Sequence, residues 1–85
     1  MNGKNGRKLV HVGFGNYIAG DKIIAVSQPG PAPIKRMMQK GRARGQVVDL
    51  TSGRRTKSVI FTDSPYIILS ALEPVTIDGR FGELK

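Results

Sequence analysis

The chain has 85 residues, with 14 Lys and Arg against 6 Asp and Glu, a formal net charge of +8 and a pI near 10.5. It contains no cysteine and one histidine, His11, which excludes disulfides and thiolate zinc sites and leaves no residue set for a metal centre. A basic field of this size favours anionic partners, nucleic acid or an anionic membrane surface. So short a chain forms one domain with a marginal isolated core, for which self-assembly is a common remedy.

Residues 1–8 are polar, with two glycines and three bases, and read as a flexible basic arm ahead of a single domain at 9–85. MNGKNGRK lacks the apolar stretch of a signal peptide, and no later run reaches the roughly 20 apolar residues of a membrane span. A soluble, cytoplasmic protein is expected. Leu9–Val12 and Lys22–Ser27 are rich in β-branched and aliphatic residues and read as strands, with turn glycines in the intervening GFGNYIAGD. The consecutive apolar run IIAV suggests a strand buried on both faces. SQPGPAP is rigid punctuation.

After Pro33 the period changes. Ile34, Met37, Met38 and Gly41 follow the helical i, i+3, i+4, i+7 template, and Lys35, Arg36, Gln39, Lys40 and Arg42 fall between them. Residues 34–44 therefore read as a short amphipathic helix with a basic outer face. Gly45 supplies its stop signal, and Arg42 and Arg44 complement the negative end of its dipole. Gly41 costs about 1 kcal/mol of helix propensity relative to alanine, a cost that close packing would explain. QVVDLT, SGRR and TKSVIFTD then read as strand, turn and strand, a β-hairpin. A second turn at Asp63, Ser64 and Pro65 leads into the strand YIILSAL. In EPVTIDGRFGELK, Pro74 is a helix-opening signal while Asp78–Gly79 is a turn signal that would end the helix early. The fold class expected is α+β, a small, mostly antiparallel sheet with one short basic amphipathic helix and, if Pro74 prevails, a short C-terminal one.

Chemistry of the catalytic kind finds no support. His11 has no nucleophile or carboxylate partner at recognisable spacing, so neither an enzyme nor a cofactor is expected. GFGNYI begins like a dinucleotide fingerprint, but Ile18 stands where the third glycine belongs. The same VGFGNYI echoes an RNA-recognition strand, with Val12 in place of the base and Asn16 in place of an aromatic. Turn glycines beside core aromatics are the plainer reading, and RNA stacking on Phe14 and Tyr17 is the alternative.

The charge itself is concentrated. Lys35, Arg36, Lys40, Arg42, Arg44, Arg54, Arg55 and Lys57 face Asp49 alone across residues 35–57, eight bases less one acid, a net of +7. Within DLTSGRRTKSV, Arg54 and Arg55 follow a glycine at the expected tip of the hairpin. Side chains there are dispensable to a core and available to a partner. Arginine at such a tip grips phosphate oxygens bidentately.

Taken in order, HVGFGN, KIIAV, PAPIKRMMQKGRARG, SGRRTKSVIFTDS and YIILSAL resemble the RemA family of bacterial extracellular-matrix regulators, over roughly residues 9–76. The resemblance implies a ring-forming, homo-oligomeric, nucleoid-associated DNA-binding protein that activates biofilm matrix genes without catalysis. Its paired DNA-binding arginines correspond to Arg54 and Arg55. A further family arginine ahead of the IIA strand corresponds to Lys22, which keeps the charge but lacks the planar fork. Lys57 adds a cation to the same turn. The sensitive proline of the API block corresponds to Pro33, expected to set the start of the helix or a subunit contact. Double-stranded DNA and further copies of the chain are thus the expected partners. A non-catalytic scaffold or membrane-surface adaptor using the same basic face is the rival, alongside RNA binding.

Overall fold

The structure is a computed structural model that describes residues 8–82. The expected arm therefore lies, apart from Lys8, outside the described residues. Six strands and two helices follow in order: β1 (Leu9–Gly13), β2 (Asn16–Ala19), β3 (Ile23–Ser27), α1 (Ala32–Ala43), β4 (Val47–Asp49), β5 (Ser58–Thr62), β6 (Ile67–Ser70) and α2 (Pro74–Gly82). The α+β class is as expected, and α2 settles the C-terminal ambiguity in favour of Pro74. No described helix is long and apolar enough to cross a membrane.

β1 and β2 form an antiparallel hairpin of their own, with Leu9 opposite Ala19 and His11 opposite Tyr17. The other four strands form a mixed sheet ordered β3-β5-β6-β4. Here the expected β4–β5 hairpin fails. β5 pairs antiparallel with β6 through the turn at 63–66, and β4 pairs parallel with β6 on its far side. Burial decides this order. Val59 and Ile60 of β5 are buried, as are Ile67 and Leu69 of β6. Strands apolar on both faces take the centre of a covered sheet, and three-residue β4 is left at the margin. The same logic corrects the reading of IIAV as doubly buried. β3 is the opposite edge strand, and Ile24 is 69% exposed.

Each face of the sheet has its own core. On one, Val59, Ile67 and Leu69 meet Ile34 and Met38 of α1, with Val47 and Phe61 beside them. On the other, Ile60 joins Val10 and Val12 of β1 and Ile77 of α2. Helix α1 carries the chain across its face from edge β3 to edge β4, and the approach is close at the buried Gly41. A Cβ there would stand 3.0 Å from Ile67 Cδ1 and 3.1 Å from Val47 Cγ2. The helix stops where the sequence predicts. Gly45 takes φ +67°, with its amide on Arg42 O (3.1 Å) and the Gln46 amide on Gly41 O (2.8 Å), the paired bonds of a glycine-terminated helix.

Two buried serines tie the hairpin face to the sheet. Ser70 Oγ donates to Val12 O (2.8 Å) and accepts from the Leu72 amide (3.0 Å), while Ser58 Oγ donates to Leu72 O (2.6 Å). Leu72 lies between β6 and α2, outside any ladder, so these hydroxyls supply the partners that its backbone would otherwise lack. Further along, Arg80 of α2 donates to His11 Nδ1 (2.9 Å), joining that helix to β1.

Candidate nucleic-acid interface

Because β6 lies between β4 and β5, residues 50–57 must cross its C-terminal end. They do so as an arch fixed at both feet, with the Leu50 amide on Leu69 O (3.0 Å) and the Lys57 amide on Ser70 O (2.9 Å). Its first foot is shaped by Asp49, whose Oδ1 accepts from the Thr51 hydroxyl (2.6 Å) and amide (2.9 Å). Those two bonds, with a smaller contribution from the charge of Arg42, hold the Asp49 carboxyl below its ordinary value of 3.8. Next, Ser52 and Gly53 both take positive φ, +53° and +80°, and the Arg54 amide closes the turn on Thr51 O at 3.0 Å. Two successive left-handed residues reverse the chain within one turn. Arg54 and Arg55 follow at once and are exposed.

The arch stands against a second turn. Gly13 pairs with Asn16, leaving Phe14–Gly15 as a two-residue loop with φ +55° and +75°, the handedness that normally selects Asn-Gly or Gly-Gly. Phenylalanine in the left-handed region costs on the order of 1–2 kcal/mol. Asn16 Nδ2 steadies the turn by donating to Gly13 O (3.0 Å). Over the Phe14 ring lies the Arg54 guanidinium, 5.6 Å from the centroid.

Phe14, Arg54, Arg55 and Lys57 line one cleft of about 290 Å³ floored by Ala71 and Leu72. Arg55 and Lys57 also border a neighbouring cleft of about 410 Å³ with Gln28, Pro29, Gly30, Thr56 and Glu73. Arg55 and Lys57 thus stand between two adjoining clefts, one reaching the β1–β2 turn and the other the loop that precedes α1, where Glu73 is the one acid. Lys57 and Glu73 approach within 3.9 Å with both side chains about half exposed, a contact that water largely screens. Clefts so lined can bind anions, phosphates above all, and they offer no nucleophile–base pair. Among the described residues no group of three His, Asp or Glu side chains gathers into a metal site.

Of the residues singled out in the sequence, Arg54, Arg55 and Lys57 come together and Lys22 does not. Lys22 sits beyond the other end of β5, paired with Asp63 at 3.5 Å. Lys57 and Asp63 flank that strand, roughly 20 Å apart along an extended chain. Pro33 is the exposed second residue of α1, a position whose missing amide hydrogen the helix does not need. Phe14 and Tyr17 are not core aromatics, being 50% and 58% exposed. Tyr17 leans on His11 with centroids 5.0 Å apart, and Phe14 belongs to the basic cleft. The available signal for Phe14 was its place before a glycine at the centre of a two-residue turn.

Comparison with known proteins supplies a family and relatives. The family model described as RemA-like, extracellular matrix regulatory protein A-like, matches residues 9–81. A protein of Dehalococcoides mccartyi strain BAV1 is 56% identical over 73 residues, covering 86% of this chain and 76% of its own. One from Synechococcus elongatus is 54% identical over 72 residues (85% and 83%), and one from Halothermothrix orenii 53% identical over 72 (85% and 86%). All three carry the name Putative regulatory protein.

Proposed function

Since the chain belongs to the RemA-like family, we propose that it is a non-catalytic regulator that grips the backbone of duplex DNA through the 50–57 arch, repeated around a homo-oligomer. The observation that carries the reading is the convergence of Arg54, Arg55 and Lys57 on one exposed cleft. Planar guanidinium groups bond phosphate oxygens bidentately and in fixed geometry. Contacts of this kind position a protein without reading bases. One subunit neutralising about two to four phosphates binds weakly and with strong salt dependence. Several identical arches on one assembly turn weak contacts into avidity, and specificity then comes from DNA shape and the spacing of sites. The family description, extracellular matrix regulatory protein A-like, supports matrix genes as the target and biofilm formation as the process in this reading.

Assembly draws support from apolar surface that the fold leaves uncovered. Ile24 on edge β3 and Val75 on α2, 69% and 75% exposed, border one cleft. Ile24 also borders a second, of about 670 Å³, with Met37 and Tyr66. A partner subunit seated there would bury bulky side chains that a lone monomer exposes. Lys22 borders an adjoining cleft that shares Tyr66 with the larger one. In this reading it serves DNA from the junction between subunits rather than from the arch of its own chain.

The test is a salt titration of binding to long duplex DNA and to matched RNA, with wild type and the double variant Arg54→Ala/Arg55→Ala. Wild type should prefer duplex, bind longer duplexes more tightly and show a steep salt slope. In the variant the slope should fall by roughly one for each phosphate no longer gripped, with folding and oligomer size unchanged. Equal binding by the variant sinks the proposal. A second reading, single-stranded RNA binding, is favoured by one observation: Phe14 and Tyr17 are both exposed on a single hairpin. Tighter binding to RNA than to duplex in the same titration would put that reading first.

A further inference from the structure

We infer that Phe14 is an apolar wedge that enters a base step of duplex DNA whose phosphates the arch holds. The inference rests on the duplex-DNA reading above and adds to it a residue that touches bases. Three observations meet at this side chain. Its backbone is held at φ +55°, a conformation that Asn or Gly would adopt at less cost. Its ring is half exposed in the two-residue loop between β1 and β2, so burial offsets only part of the strain. And it shares a cleft with Arg54, Arg55 and Lys57, the three cations best placed to bind phosphate. Backbone strain that the core does not use is characteristic of functional sites.

The geometry suits insertion better than a flat stacking platform. Arg54 already covers one face of the ring at 5.6 Å, while half of the residue's surface stays exposed. The turn is held at several points: Asn16 Nδ2 bonds Gly13 O at 3.0 Å and Phe14 O at 3.4 Å, and the buried Gly13 lies against the Leu72 side chain. A rigid apolar projection flanked by cations is how many proteins unstack and bend a duplex, most readily at pyrimidine–purine steps. A subunit so equipped would bend DNA at each contact and help it follow a curved assembly.

The experiment compares wild type with Phe14→Asn and Phe14→Leu. Asparagine is a preferred residue for this turn, so that variant removes the ring while keeping the fold, which thermal unfolding checks. The probes are a long duplex carrying 2-aminopurine at TA steps, whose fluorescence rises on unstacking, and the matching single strand. Wild type should raise the duplex signal. Phe14→Asn should abolish the rise and weaken duplex binding roughly tenfold, the order of one base–aromatic interaction, at an unchanged salt slope because every phosphate is still held. Phe14→Leu should retain part of both.

Undiminished affinity and signal in Phe14→Asn would overturn the inference and leave the ring as packing for Arg54. A reduced salt slope would overturn it too, making Phe14 a positioning residue for the arginines. If the loss appears only with the single strand, the wedge is replaced by a stacking contact. Failure of the underlying reading is separately visible, as wild type that does not bind duplex or binding that ignores the Arg54→Ala/Arg55→Ala change.

Discussion

Replacing Ser70 by alanine removes one oxygen and leaves two backbone groups without partners. Val12 O loses its donor at 2.8 Å and the Leu72 amide its acceptor at 3.0 Å. Val12 and Ser70 are fully buried, so water cannot readily replace the hydroxyl. Each stranded group costs roughly 1–3 kcal/mol. Leu72 is half-buried and belongs at the low end, giving about 2–4 kcal/mol for Ser70→Ala. Ser58→Ala strands Leu72 O alone and should cost about half as much. Domains of this length have a total stability of roughly 4–13 kcal/mol, so the first change consumes a large part of it and lowers the melting temperature by roughly 10–30 °C. The assay is urea denaturation followed by circular dichroism at one fixed protein concentration, since any self-assembly would couple to apparent stability. A loss below about 1 kcal/mol for Ser70→Ala, or one no larger than for Ser58→Ala, would refute the reasoning.

Two other perturbations bear on stability and on the arch. Gly41→Val drives a branched side chain against Ile67 and Val47 and should destabilise the fold by about 1–3 kcal/mol through overpacking; an unchanged denaturation midpoint would show that α1 can move away from the sheet. Asp49 has a folded pKa below its ordinary value of 3.8, so its ionised form is favoured in the folded state. Its contribution is fully present above that ordinary value and is lost as pH falls through the lowered folded one. Acid titration by NMR should show Asp49 protonating below 3.8 together with a change at the Thr51 amide, and Asp49→Asn should remove that change; a Thr51 amide indifferent to this titration would contradict the contact.

Local structure was legible in the sequence and long-range pairing was not. The 3.6-residue period from Ile34 to Gly41, followed by Gly45, located α1 to within two residues at its start, because helix bonds and caps involve near neighbours. Strand order rests on which strands bury both faces, and IIAV and YIILSAL look alike in that respect. Only the packed sheet separates them, with Ile24 exposed at an edge and Ile67 and Leu69 buried at the centre. The arginines were found in the sequence while their support was misread, since Ser52 and Gly53 do form a turn but its flanking strands are not neighbours. Phe14 was singled out only as an RNA-stacking alternative to a core aromatic, and its place beside the arginines escaped because that contact joins segments 40 residues apart.

The crossing of β6 by residues 50–57 changes what kind of object carries the arginines. A hairpin tip is a free end that swings, and a ligand must first select one of its many positions. A span fastened to Leu69 O at one foot and Ser70 O at the other has surrendered most of that motion during folding. Binding of a phosphate there would freeze little more than the side chains, so a larger share of each contact would survive as affinity. Such a span also acts as a gauge: the distance between its feet is set by the strands beneath, and identical subunits would present their arginines at intervals fixed by the sheet.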